Sequence, residues 1–269
     1  DNLAYSADWP WAARSGVEAA LPGATALFAL GAHADVDPRT RGLLDLAVPG
    51  QSVGVSFEEM EALGREVGEA VAEAAGGITT HSEARIGAAS RRIAIPVHGA
   101  DAGEEVYQEW LAAGRADALG ALGLEPDSRL GTADLFGLEQ ERTRELPAPE
   151  RRERIARVRR YLRDRTAPRF AFGREPRVEA QVLRIGEVLL LGLPAEPTVN
   201  VGLDWKRRAD APASVVGIAN GWIRYLPHPE DFREAEAHQK YEILQSTLVP
   251  DAATRLLDQA ETLAGELPA

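Results

Sequence analysis

Gly186-Glu187-Val188-Leu189-Leu190-Leu191-Gly192-Leu193-Pro194-Ala195-Glu196-Pro197 is an apolar run that stops abruptly at a carboxylate set between prolines. Further on, Val215-Val216-Gly217-Ile218-Ala219 ends in the same way at Asn220-Gly221-Trp222-Ile223-Arg224-Tyr225. Short continuous apolar runs closed by turn formers predict strands buried on both faces, as in a sheet covered by helices. Just upstream, residues 178–185 alternate apolar and polar, the pattern of a half-exposed strand. Gly186-Glu187 joins it to the next run through a tight turn, which predicts an antiparallel hairpin. Ligands of open α/β sheets sit beyond the carboxyl ends of the strands, so Glu196 and the 220–225 loop are the first places to look for chemistry.

Outward from this region the chain alternates between helical and strand-like patterns. Asp8 or Ser6 can cap a helix over residues 9–21, with Pro10 in its first turn and Pro22-Gly23 as its stop. Ala24 to Leu30 reads as a short buried strand, and 91–97 as another. Ser56-Phe57-Glu58-Glu59 is a capping box opening a helix that Gly76-Gly77 ends. Further helices are expected over 104–122, 151–165, 197–208 and 251–267, with 40–55 an irregular connection. Weak periodicity with Gly and Pro makes 123–165 a surface excursion, its basic helix included. The fold class predicted is α/β, a mixed, largely buried sheet flanked by helices, in a single domain over 1–269.

Composition excludes several partners and chemistries. The net charge of −12 argues against nucleic acid, and the basic 151–165 helix reads as a solvated face paired with surplus carboxylates. Cysteine is absent, so disulfides and thiolate metal sites are excluded. No apolar run approaches the roughly 20 residues of a membrane span. No signal peptide is visible, and a soluble, cytoplasmic protein is expected ahead of a secreted one.

Glu196 lies between a strand end and the next helix, where backbone amides favour an ionised carboxylate. That carboxylate can serve as a hard metal ligand or as a plain helix cap. The His33-x-Asp35-x-Asp37 spacing offers metal-ligand side chains, yet Asp37-Pro38 also suits a turn with Asp35 capping local amides. Asn220, Trp222, Tyr225 and Tyr241 read by default as turn residues and partly buried aromatics, and His81, His98, His228 and His238 have no partner at metal spacing. There is no phosphate loop, nucleophile elbow or His-Glu-x-x-His.

Several motifs, in order, resemble the neutral (non-lysosomal) ceramidase family. They are Asp1-Asn2-Leu3-Ala4-Tyr5-Ser6-Ala7-Asp8-Trp9-Pro10, Leu27-Phe28-Ala29-Leu30-Gly31-Ala32-His33-Ala34-Asp35-Val36-Asp37-Pro38-Arg39 and Leu193-Pro194-Ala195-Glu196. Ala219-Asn220-Gly221-Trp222-Ile223-Arg224-Tyr225-Leu226-Pro227 and Tyr241-Glu242 complete the set. The resemblance covers roughly residues 1–50 and 178–267 and implies the C-terminal portion of the family's catalytic domain.

It further implies a zinc-dependent amidase that cuts the N-acyl bond of ceramide or a related lipid by metal-activated water. Glu196 and Tyr225 would be zinc ligands, and Tyr241 would hydrogen-bond the oxyanion or amide. Asp37 would join Tyr241 in catalysis, with Asp35, Asn220 and Trp222 lining the substrate site. The family's zinc-binding histidines and its general-base histidine belong to a segment preceding Asp1, a possible partner for this chain. Asp37 stands where the family carries Ser or Asn, and His33 also departs from its pattern. Those departures leave two alternatives: hydrolysis of another N-acyl amide or ester, favoured near a positive charge by the acidic loop, or a non-catalytic relative.

Overall fold

The computed structural model describes residues 6–37, 56–97, 104–166, 176–234 and 240–268. The described residues group into two compact units, one within Asp1–Ala29 and Asp37–Ala84, the other within Leu30–Val36 and Arg85–Ala269.

The first unit is a helix pair, α1 (Asp8–Ala20) and α2 (Phe57–Gly76). The predicted capping box is present: Ser56 Oγ accepts from Glu59 N at 3.2 Å, and Glu59 Oε2 accepts from Ser56 N at 3.0 Å. The helices meet across glycine. A Cβ on Gly64 would stand 2.5 Å from both Ala12 Cβ and Trp9 O, and one on Gly68 2.6 Å from Ala13 O. Gly64→Ala is therefore expected to destabilise the unit by about 1–3 kcal/mol, because backbone must move to admit the methyl. A thermal melt matching wild type would refute that packing.

The predicted strand over 24–30 does not form. The backbone of Ala26, near its middle, bonds α1 side chains instead: Arg14 Nε donates to Ala26 O at 2.7 Å, and Ala26 N donates to Glu18 Oε1 at 2.9 Å. Phe28 packs edge-on against Trp9, at 5.2 Å between ring centres, while Leu27 is exposed. An apolar run does not become a strand without a neighbouring edge to bond, and here side chains supplied the partners.

The second unit holds the sheet. Strands β1 (Ile86–Ala94), β2 (Arg177–Ile185) and β3 (Val188–Gly192) are antiparallel neighbours, with Leu191 opposite Val182. The hairpin between β2 and β3 turns at Gly186, whose φ of +59° favours a residue without Cβ. β5 (Ala213–Val216) pairs in parallel with β3, placing Val215 beside Leu191, so the sheet is mixed as predicted. Val182, Leu191 and Val215 share one register row and are buried with α6 (Val199–Arg208) and α8 (Ala252–Glu266). Burial on both faces does not hold: Leu190 is only half-buried, and β1 is mostly exposed.

Trp205 of α6 and Leu256, Leu257, Ala260 and Leu263 of α8 fill the core beneath that face. The two helices are joined by Arg208, whose Nη1 donates to Asp258 Oδ1 at 2.7 Å and Glu261 Oε2 at 2.8 Å. Its Nε donates to Asp204 at 2.9 Å. Burial pushes the Asp204 carboxyl up, but the Arg208 charge and bonds, helped by His228, outweigh it and hold the pKa below its usual 3.8. A carboxyl lowered on folding adds stability above its unfolded pKa and loses it as pH falls through the folded one. Wild type should thus lose stability more steeply below its usual 3.8 than Asp204→Asn does, measured by denaturant melts across that range. Parallel acid limbs would remove this role.

A separate cluster contains α3 (Glu104–Ala121), α4 (Thr132–Thr143) and α5 (Ala148–Thr166), closed by Leu119, Leu135, Val158 and Leu162. The stretch expected as a surface excursion thus contains helices with a core of their own. Helix α4 escaped sequence reading because its apolar positions are few; Asp134 starts it by accepting from Gly131 N at 2.7 Å. Two arginines of α5 pair with carboxylates of neighbouring helices, Arg157 with Asp117 at 2.6 Å and Arg159 with Glu139 at 3.0 Å, the kind of pairing expected of its basic face.

Candidate active site

The site is built where β3 runs out. After Gly192 the chain passes through Leu193-Pro194-Ala195 into the two-residue strand β4 (Glu196–Pro197). The segment following β5 folds back along it: Ala219 N donates to Leu193 O at 2.9 Å, Ile218 N to Ala195 O at 2.8 Å and Ile223 N to Pro194 O at 2.7 Å. This close wrapping forces left-handed backbone at Ile218 (φ 55°), Asn220 (φ 63°) and Arg224 (φ 70°). Such conformations cost about 1–3 kcal/mol each, and a β-branched residue there is a true outlier. The strain is borne at the mouth of the sheet, where it aims the loop's side chains.

Strand β4 pairs in parallel with β6 (Tyr225–Leu226), Glu196 directly beside Tyr225. Neighbours in register project from the same face, so the carboxylate and the phenol share a side. Trp222, although exposed, donates its Nε1–H to Glu196 Oε1 at 2.8 Å. The other carboxylate oxygen lies 3.8 Å from His33 Nε2. Tyr241, the first residue of α7 (Tyr241–Gln245), stacks edge-on against Tyr225 with 5.6 Å between ring centres. The Arg159 guanidinium stands 5.6 Å above the Tyr241 ring, a cation–π contact that sets its tilt.

His33 reaches Glu196 because residues 30–36 are threaded between two elements. Gly217 N donates to Leu30 O at 2.8 Å, while His33 N and Ala34 N both donate to Pro197 O at 3.0 Å. Gly217 also makes room for the ring: a Cβ there would lie 2.9 Å from His33 Cε1. Two residues on, Asp35 Oδ1 accepts from Val199 N at 2.7 Å and so caps α6. Hence Glu196 does not cap that helix; a residue from a distant segment does. His33 and Asp35 therefore diverge, and Asp37, exposed, falls in the other compact unit. Asn220 turns toward the sheet, its Nδ2 3.4 Å from Gln181 Oε1. Pro38, the other half of the expected turn, lies outside the described residues, as do His98 and His238.

Behind the pair sits a buried acid that sequence reading passed over. Asp231 accepts from Thr198 Oγ1 at 2.7 Å, Asn200 Nδ2 at 2.6 Å and His228 N at 2.7 Å. It thereby ties the segment after β4 to the segment after β6. No periodicity or motif announces an acid of this kind. The one usable signal was composition, an Asp just beyond Pro227-His228-Pro229.

The residues present suit a metal of borderline character. His33 Nδ1 lies 2.8 Å from Gly31 O, an atom that only accepts, so this nitrogen carries the proton. In the neutral ring Nε2 is then the lone-pair nitrogen, and it is buried with no hydrogen-bond partner. An orphaned imidazole nitrogen facing a carboxylate beside a phenol is a nitrogen and oxygen donor set of the kind zinc accepts. Among the described residues no group of three or more His, Cys, Asp or Glu is gathered with metal-holding geometry.

No protein-family model matches the chain. Over 72 residues, 24% of this chain and 11% of the other protein, the sequence is 39% identical to the neutral ceramidase of Mycobacterium tuberculosis (strain ATCC 25618 / H37Rv). The fold matches the crystal structure of neutral ceramidase from Pseudomonas aeruginosa with a TM-score of 0.55 at 18% identity, covering 100% of this chain and 42% of that one. A structure described as ceramidase complexed with C2 matches with a TM-score of 0.54 at 19% identity, over 98% of this chain and 42% of that one. The chain thus spans less than half the length of these proteins. The likeness to the neutral ceramidases read from the sequence is met twice, locally in sequence and along the whole chain in fold.

Proposed function

We propose that this chain forms part of a zinc-dependent amide hydrolase of the ceramidase type, acting on the N-acyl bond of ceramide or a related N-acyl lipid. The observation that carries the reading is Glu196 held in register beside Tyr225, its free oxygen facing the orphaned His33 Nε2. Support comes from the proteins the chain resembles, which are named neutral ceramidases.

Glu196 and Tyr225 are the oxygen ligands in this reading, with further histidine ligands expected upstream of Asp1. The ion, when bound, supplies Lewis acidity toward an amide carbonyl and lowers the pKa of its water. The chain's own residues do the rest. Trp222 holds one Glu196 oxygen by its N–H, which fixes the carboxylate's rotation before any ligand arrives. Tyr241, braced by Tyr225 and Arg159, offers a phenolic O–H to the charge that develops on the amide oxygen. Exposed Trp222 gives the mouth an apolar wall on which an acyl chain can lie. Asn220 and Asp35 stand on the loops that lead to this site and are its proposed substrate-binding residues, each held by a bond within the chain.

The alternative substrate, an amide or ester beside a positive charge, draws on the acidic loop at Asp35 and Asp37. Asp35 is engaged at the start of α6, which weakens that support. The test is hydrolysis of a fluorogenic N-acyl sphingosine by the full-length protein, before and after a chelator and again with zinc restored. Loss on chelation and recovery with zinc is the expected result. Hydrolysis indifferent to the chelator would overturn the metal, and no turnover of any N-acyl amide in the presence of zinc would overturn the reaction.

A further inference from the structure

We propose that His33 is a metal-coordinating residue of this chain, giving its Nε2 lone pair to the same ion as Glu196. The inference rests on the reading of Glu196 and Tyr225 as metal ligands, and His33 then supplies from within these residues one of the nitrogen donors otherwise expected upstream, which leaves a position for water.

The geometry is that of a prepared ligand. A metal-bound histidine usually donates its other ring N–H to a carbonyl or carboxylate, which fixes both tautomer and orientation. His33 does this through Nδ1 to Gly31 O at 2.8 Å. Its peptide N–H is bonded to Pro197 O at 3.0 Å, and the bare α-carbon of Gly217 leaves the space that its ring occupies. Every hydrogen-bonding group of the residue is thus accounted for except Nε2, which is buried and has no partner. Nature seldom leaves a buried polar nitrogen unmatched, since the loss is about 1–3 kcal/mol.

What faces it is the Glu196 oxygen that Trp222 does not use, at 3.8 Å. That separation is too long for a hydrogen bond. Two ligand atoms on one tetrahedral zinc, each about 2.0 Å from the ion, stand roughly 3.3 Å apart. The observed gap is close to that span, so a small closure about an ion satisfies both atoms. An ion pair is the competing arrangement, with Nε2 protonated and the carboxylate as its counterion.

Histidine-labelled protein separates these outcomes. The ring nitrogens of His33 are assigned by comparison with His33→Asn. Zinc is titrated into the full-length protein while ¹⁵N ring shifts and zinc affinity are followed, with Glu196→Ala alongside and thermal melts as a fold check. The expected result is an unprotonated His33 Nε2 that shifts on zinc binding, with zinc held at least tenfold more weakly by folded His33→Asn. Zinc binding that depends on Glu196 but leaves His33 Nε2 and the His33→Asn affinity unchanged overturns this inference and spares the metal site. A protonated Nε2 indifferent to zinc also overturns it, in favour of the ion pair. No zinc bound by any form removes the metal site and this inference together.

Discussion

Glu196→Ala should reduce N-acyl amide hydrolysis by more than the roughly 10–100-fold that loss of an outer hydrogen-bond partner costs a metal site. The residue is the one point where every proposed function of the site meets. It pairs with Tyr225 in the β4–β6 ladder, takes the Trp222 N–H on one oxygen and turns the other toward His33. Its backbone bond to Arg224 O at 2.9 Å survives any side-chain change, so the strand persists. Trp222→Phe gives the internal comparison: it removes only the N–H that orients the carboxylate, and its loss should stay inside that 10–100-fold window. Initial rates of both variants, with melting curves to confirm folding, decide the matter. Equal losses in the two would mean that Glu196 acts only by position, and unchanged rates in Glu196→Ala would remove it from the site.

The largest effect on stability is expected from Asp231→Ala, at about 3 kcal/mol or more. The Asp231 carboxylate is buried and collects the Thr198 hydroxyl, the Asn200 amide and the His228 N–H. Hydrogen bonds to a charged acceptor contribute roughly 1.5–3 kcal/mol, and removing the acceptor strands buried donors besides. Asp231→Asn keeps the shape but turns one oxygen into a donor facing other donors, so it should recover only part of the loss. Chemical denaturation midpoints with unchanged m-values measure this. Wild-type stability in Asp231→Ala would show that the β4 and β6 segments are held together by something else.

The hairpin, the capping box and helix α8 were legible because each is written in consecutive residues. Gly186 marks the turn, Ser56 and Glu59 bond each other's amides, and Leu256, Leu257, Ala260 and Leu263 repeat at helical spacing. The failures share a cause of the opposite kind. Ala24 to Leu30 looks like a strand locally, but Glu18 and Arg14 occupied the backbone groups that a ladder requires. Strands β4 and β6 are too short to show any periodicity, and their pairing depends on the strained return of residues 218–224.

The site was partly legible for similar reasons. Glu196 and Tyr225 follow apolar runs, and the ends of such runs are where an α/β sheet keeps its chemistry. The structure sets them side by side and brings Tyr241 and Trp222 to them. The His33-x-Asp35-x-Asp37 spacing allowed either joint ligation or a turn with Asp35 as a cap, and the fold keeps the cap: His33 turns to Glu196, and Asp35 caps α6. Residues two apart in an irregular loop have no fixed relation, so spacing alone could not choose between them.

Zinc affinity of the full-length protein, measured by calorimetry for wild type, Glu196→Ala and Tyr225→Phe, tests the central claim most directly. A carboxylate and a phenol converging on one ion predict that wild type binds zinc and that each variant binds it more weakly while remaining folded. Zinc held by both variants as tightly as by wild type, or by none of the three, would contradict it.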